Sequence, residues 1–195
     1  MIKFRLFMTG LVFSYLLTGC MAPPPPDNIS NVCNIFHQYP SWYRAAKRVE
    51  RRWAVPVPVQ MAIMHQESKF DGYARPPRTK ILGFIPWTRP TTALGYSQAL
   101  NGTWDLYRKT EGGYFASRTN FADAVDFIGW YANMAYRLAR VPRSDAFRLY
   151  LAYHEGIGGY QRGTYRYKRW LVPVAHKVSR RAALYKKQLV VCHRT

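Results

Sequence analysis

Apolar positions recur at helical spacing through most of the chain, and the strict alternation of half-buried strands is largely missing. Ser41 can cap a first helix that runs through Trp53, where Pro56 and Pro58 interrupt the pattern. Pro58 suits the first turn of the next helix, because a proline there gives up no hydrogen bond that the helix needs. That helix is expected to reach Lys69. Val59, Ala62, Ile63 and Gln66 share one face of it, so Glu67 falls at the margin of the apolar stripe and near the last turn. Asn101 can cap a helix containing Trp104 and Leu106. Asn120, with Asp123 three residues on, resembles a capping box with a shortened acid. The run after it carries Phe121, Val125, Ile128, Ala132, Ala135 and Leu138 at a period near 3.6, which predicts a helix buried on most of its circumference. Ser144 can cap another helix that stops at Gly156. A turn through Gly156, Gly158 and Gly159 then leads to a last basic helix over residues 168–188, broken or kinked near Pro173. The pattern predicts a mainly α fold without internal repeats.

The ends change this picture. Lys3 and Arg5 precede an apolar run from Leu6 to Leu17 that is too short to span a bilayer, and Leu17-Thr18-Gly19-Cys20 follows. The layout resembles a bacterial lipobox, which implies a signal peptide at 1–19, cleavage before Cys20 and acylation of that cysteine. An ordinary secretory signal with a chance cysteine is the other reading. Residues 20–40 are expected to form the lipidated N-terminus and a tether, with prolines 23–26 as an extended spacer holding the domain off a membrane. Residues 41–195 are expected to form one globular domain, since what remains is long enough for one core and too short for two comfortable ones.

The 195-residue chain carries a formal net charge of +19. Residues 156–195 hold ten Lys or Arg and no acid. A face this basic attracts polyanions or is simply solvated. Export excludes nucleic acid as the partner and leaves anionic lipid head groups and peptidoglycan. With Cys20 lipidated, Cys33 and Cys192 remain as a pair in an oxidising compartment, where a disulfide between them is expected, two free thiols being the other reading. No Cys-x-x-Cys or His-Glu-x-x-His spacing occurs, so neither a metal nor another cofactor is expected.

Candidate chemistry centres on the run 61–70. A carboxylate among Ala62, Ile63 and Met64 should hold its proton at neutral pH, because desolvation penalises the ionised form, and that suits a general acid. A helix-end salt bridge is the plainer role for Glu67. Two further motifs follow in order, Gly95-Tyr96-Ser97-Gln98 and Ala152-Tyr153-His154-Glu155-Gly156. Together with Glu67-Ser68 and a central helix over residues 120–140, they resemble the soluble-lytic-transglycosylase domain of the lysozyme-like superfamily, over roughly residues 44–189.

The resemblance implies a lysozyme-like domain with a cleft and a lyase acting on peptidoglycan, in a monomer lipid-anchored at the envelope, facing the periplasm from the outer membrane. It implies Glu67 as catalytic acid and base, with Ser68, Tyr96, Gln98, Tyr153 and His154 as substrate-binding residues. Tyr153 can equally be a core tyrosine bonded to backbone. The chain departs from the family at Ser97, where Met is common, and at His154-Glu155, where Asn and a small residue are usual. Glu155 is either structural, paired for instance with Arg162, or a second carboxylate. Ordinary glycoside hydrolysis needs two carboxylates, so a muramidase using Glu155 or Asp71 is an alternative, as is a non-catalytic peptidoglycan-binding lipoprotein. The Pro-rich stretch between Tyr73 and Thr92, with Phe84 and Trp87, either walls the cleft or is a plain surface insertion.

Overall fold

Glu67 lies near the end of a helix that the structure buries on most of its circumference, and is itself half-buried. This computed structural model describes residues 21–83 and 85–192, so the signal-peptide and Cys20 expectations, and Phe84, lie outside the described residues. Among the described residues the helices are α1 (Val32–Gln38), α2 (Pro40–Trp53), α3 (Val57–Ser68), α4 (Asn101–Tyr107), α5 (Phe121–Ala139), α6 (Ala146–Glu155), α7 (Ile157–Arg162) and α8 (Leu171–Cys192). A π turn, Arg108–Gly112, extends α4, and a 3-10 turn, Thr164–Tyr167, precedes α8. The stretch expected to be a loop contains a small antiparallel hairpin, β1 (Lys80–Ile81) with β2 (Ile85–Pro86), on which Trp87 is exposed.

Helix α3 packs against α2, α5, α6 and α8. Its one deeply buried amide, Gln60, is accommodated because its Nε2 donates to the Ala46 and Val55 carbonyls at 3.1 and 2.7 Å. The apolar face expected from spacing therefore widens to nearly the whole circumference, with Gln66 and Glu67 left half-buried near its C-terminal end. Helices α2 and α5 meet closely: Trp42 and Phe121 stack with ring centroids 4.1 Å apart. Gly129 permits that approach, since a Cβ there would lie 2.5 Å from atoms of Val49 and Trp53.

Several element ends differ from the sequence expectation. Helix α2 starts at Pro40, so Ser41 lies inside its first turn, and α6 is capped by Asp145 rather than Ser144. Asn101 is the first helical residue rather than the cap, whereas Asn120 does cap α5, accepting from the Ala122 and Asp123 amides. Leu138, expected on the buried face, is exposed at the C-terminal end of α5. The glycine-rich turn after Gly156 is helix α7. Pro173 makes no interior kink, because α8 begins at Leu171 and a proline in a first turn removes no needed donor.

The N-terminal residues lie along the domain. The Ala22 amide donates to the Tyr73 hydroxyl at 3.0 Å, the Tyr39 hydroxyl donates to the Pro24 carbonyl at 2.9 Å, and Pro26 is buried. Prolines 23–26 are thus not the free-standing spacer expected, because backbone carbonyls and apolar rings there find partners on the domain. Packing also reaches ahead of residue 41, as Val32 and Ile35 belong to the core. A disulfide joins Cys33 on α1 to Cys192 at the end of α8. Gln188 reinforces the junction, accepting from the Val32 amide at 2.9 Å and donating to the Ser30 carbonyl.

Candidate active site

Helix α3 ends immediately after Glu67-Ser68, and the ending is abrupt. Lys69 and Phe70 both take left-handed backbone conformations, with φ of 52° and 65°. Each costs about 1–2 kcal/mol for a residue with a Cβ. Full burial of the Phe70 ring, worth roughly 1.5–3 kcal/mol, offsets much of this. The Ser68 hydroxyl completes the stop: it donates to the Met64 carbonyl and accepts from the Phe70 amide at 3.1 Å. The Ser68 hydroxyl thus serves the backbone at the helix end.

Glu67 is half-buried, and burial pushes its carboxyl up to about 7, against a smaller downward pull from a hydrogen bond donated by Tyr150. Tyr150, itself buried on α6, is held protonated well above the ordinary tyrosine range by burial and by the neighbouring Glu67. Three residues on, Tyr153 also feels the Glu67 charge, after the larger effect of its own burial. Its hydroxyl is committed to the Ser97 carbonyl at 2.7 Å, and its ring meets Tyr131 edge-on at 5.0 Å. Tyr153 thereby braces the α6 wall against the turn through Ser97.

That turn is tightly built. Gly95 has φ of 75°, and a Cβ there would lie 2.1 Å from the Arg118 carbonyl oxygen, so only glycine fits. Gln98 spends its side-chain N–H groups on the Ala74 and Gly95 carbonyls at 2.9 and 2.8 Å. Tyr96 is fully buried and meets Trp42 and Phe121 edge-on, so the sugar contact expected of it is corrected to a core role. His154 alone of the expected binding residues is exposed. The family described as Transglycosylase SLT domain matches residues 8–192.

The chain belongs to that family. The mainly helical single domain is the lysozyme-like SLT fold, and membership implies a lytic transglycosylase, a lyase on peptidoglycan of the bacterial envelope. No curated protein matches the chain. Among the described residues no helix is long and apolar enough to cross a membrane.

Within this SLT domain the two other carboxylates considered from sequence lie in different settings. Burial pushes the Glu155 carboxyl up, but hydrogen bonds from Lys168, Thr164 and His154 outweigh it and hold the group down at about 2. Lys168 Nζ lies 2.6 Å from Oε1 and His154 Nδ1 3.0 Å, while the Thr164 hydroxyl donates to Oε2. The partner is Lys168, not Arg162. Asp71 accepts the Tyr73 amide at 2.8 Å in a local turn. The residue that sequence reasoning missed is Tyr150. Its spacing of three before Tyr153 puts both on one face of a helix, a signal that was present once α6 was drawn as a helix.

Proposed function

We propose that this SLT domain cleaves the β-1,4 bond between N-acetylmuramic acid and N-acetylglucosamine, with Glu67 as the single acid and base. The observation that carries the reading is the half-buried Glu67, held near neutrality beside Tyr150 at the end of α3. Protonated Glu67 gives its proton to the glycosidic oxygen, and the bond to the anomeric carbon of the muramic acid breaks. The acetamido group of that sugar stabilises the electron-poor carbon. Glu67, now a carboxylate, takes the proton of the same sugar's 6-hydroxyl as its oxygen closes on the anomeric carbon. The product is a 1,6-anhydro ring, no water is consumed, and Glu67 returns protonated. Glu155 is fully engaged by three donors, which suits an anchor better than a hydrolytic base. Mass analysis of the fragments released from purified sacculi tests the proposal. Anhydro ends are expected; reducing ends would mean hydrolysis, and no release would mean a binding protein.

Burial of Glu67 sets the pH range, and the Tyr150 bond trims it. The first step needs protonated Glu67, so turnover falls as pH rises through about 7. Tyr150 favours the ionised form, and its removal raises the Glu67 pKa further. Tyr150→Phe is therefore expected to shift the alkaline limb of the rate profile to higher pH. An unmoved limb would separate Tyr150 from the acid.

Anchoring through a lipid on Cys20 belongs to the same reading, and the docked course of residues 22–26 then leaves the domain close to the membrane that holds it. Cys20→Ala is expected to move the protein from the membrane fraction to the soluble envelope fraction, or to leave it unprocessed. Processed variant retained on membranes at high salt would exclude the lipid as anchor.

A further inference from the structure

The Glu155 clamp holds something. Lys168 and Thr164, two of its three partners, belong to the segment 164–170 between α7 and α8, so the carboxylate pins that segment to the C-terminal end of α6. The third partner, His154, packs its ring edge-on against Trp170, with centroids 5.0 Å apart and an interplanar angle of 83°. His154 also lies four residues beyond Tyr150, hence on the same side of α6 and one turn, about 5.4 Å, further along its axis. Trp170 is thereby fixed one helical turn past the residue that bonds Glu67, yet it is 55% exposed. Tyr167 is 88% exposed on the same segment. Arg166, over the Tyr165 ring at 5.9 Å, and Arg169 are exposed beside them.

An exposed indole packed against a histidine that bonds a buried carboxylate is an ordered platform rather than a loose side chain, which lowers the ordering cost of binding. A flat aromatic face suits the C–H face of a pyranose, and exposed guanidinium groups suit carboxylates. We propose that segment 164–170 is a glycan subsite: Trp170 stacks on a sugar of the strand adjacent to the cleaved bond, and Arg166 and Arg169 receive the carboxylates of the attached peptide stems. Glu155 acts as the positioning residue of this lip. The proposal rests on the reading of the Glu67 cleft as a peptidoglycan site.

The test is calorimetric binding of a soluble peptidoglycan tetrasaccharide, with and without peptide stems, to the full-length chain carrying Glu67→Gln, which preserves the ligand. Adding Trp170→Ala is expected to weaken binding about tenfold, whereas Trp170→Phe keeps most of it. Glu155→Gln is expected to weaken it in the same direction in protein still folded by circular dichroism. Stem-free glycan is expected to bind more weakly than stem-bearing glycan. In the active chain, Trp170→Ala raises KM with little change in kcat. An unchanged Kd in folded Trp170→Ala protein overturns the subsite, as does a loss confined to kcat. Equal binding of the two glycans overturns the arginine assignment. If the active chain binds glycan but releases no product, the proposed reaction fails while the Trp170 comparison still decides the subsite.

Discussion

Glu67→Gln is expected to fold as the parent does and to lose turnover by about 10²–10⁴-fold, the usual worth of a positioned general acid. The amide keeps the shape of the side chain and its place beside Tyr150, but it has no proton to give and no lone pair basic enough to take one from the 6-hydroxyl. Both half-reactions fail together. Substantial release of anhydro fragments by the purified variant would remove Glu67 from the mechanism. The same substitution has a signature in stability. A carboxyl whose folded pKa is raised to about 7 contributes stability that is fully present below its unfolded value and is lost as pH rises through 7. Glutamine does not titrate, so the variant is expected to gain on the parent between about pH 4 and 8 by on the order of 1–3 kcal/mol. Thermal unfolding of both proteins across that range checks it, and parallel melting curves would contradict the raised pKa.

Removal of the Cys33–Cys192 bridge is expected to be the largest change in stability. The two residues are 159 apart, and in the loop-entropy description a closure of that length contributes about 4–5 kcal/mol at most. For a chain of this size that corresponds to a fall of roughly 10–20 °C in Tm. The junction does not depend on the bridge alone, since the Tyr185 hydroxyl donates to the Ile29 carbonyl and Gln188 bonds Ser30 and Val32. Reduced protein is therefore expected to keep its fold and its Glu67 chemistry below the lowered transition. Calorimetry of oxidised and reduced samples, with activity measured well below both transitions, distinguishes the cases. Equal melting temperatures would mean that the hydrogen bonds and packing hold the ends unaided.

The helical reading succeeded where period and caps agreed, as at α5, which Asn120 caps and whose apolar positions recur at 3.6. It failed at α1 and α7. Both are short, and the 156–162 run is rich in glycine, so their helical state comes from packing and not from propensity. Glu67 was legible because apolar neighbours in sequence predict desolvation in any fold that buries the helix. Tyr96 is fully buried, and the Ser68 and Tyr153 hydroxyls and the Gln98 N–H groups all bond the backbone, which no motif announced. A motif says that a residue is needed without saying whether a sugar or a backbone carbonyl needs it.

The sequence by itself determined a mainly helical domain, a carboxyl primed to keep its proton and the order of the motifs around it, because periodicity and local hydrophobicity act over a few residues. Only the tertiary structure decided the partners. That Tyr150 bonds Glu67, that Tyr153 reaches Ser97 and that Glu155 clamps Lys168 rather than Arg162 depend on how α3, α6 and the segment before α8 are stacked. Hydrogen bonds form within about 3 Å, and residues far apart in the chain come that close only when the core has set the spacing between their helices.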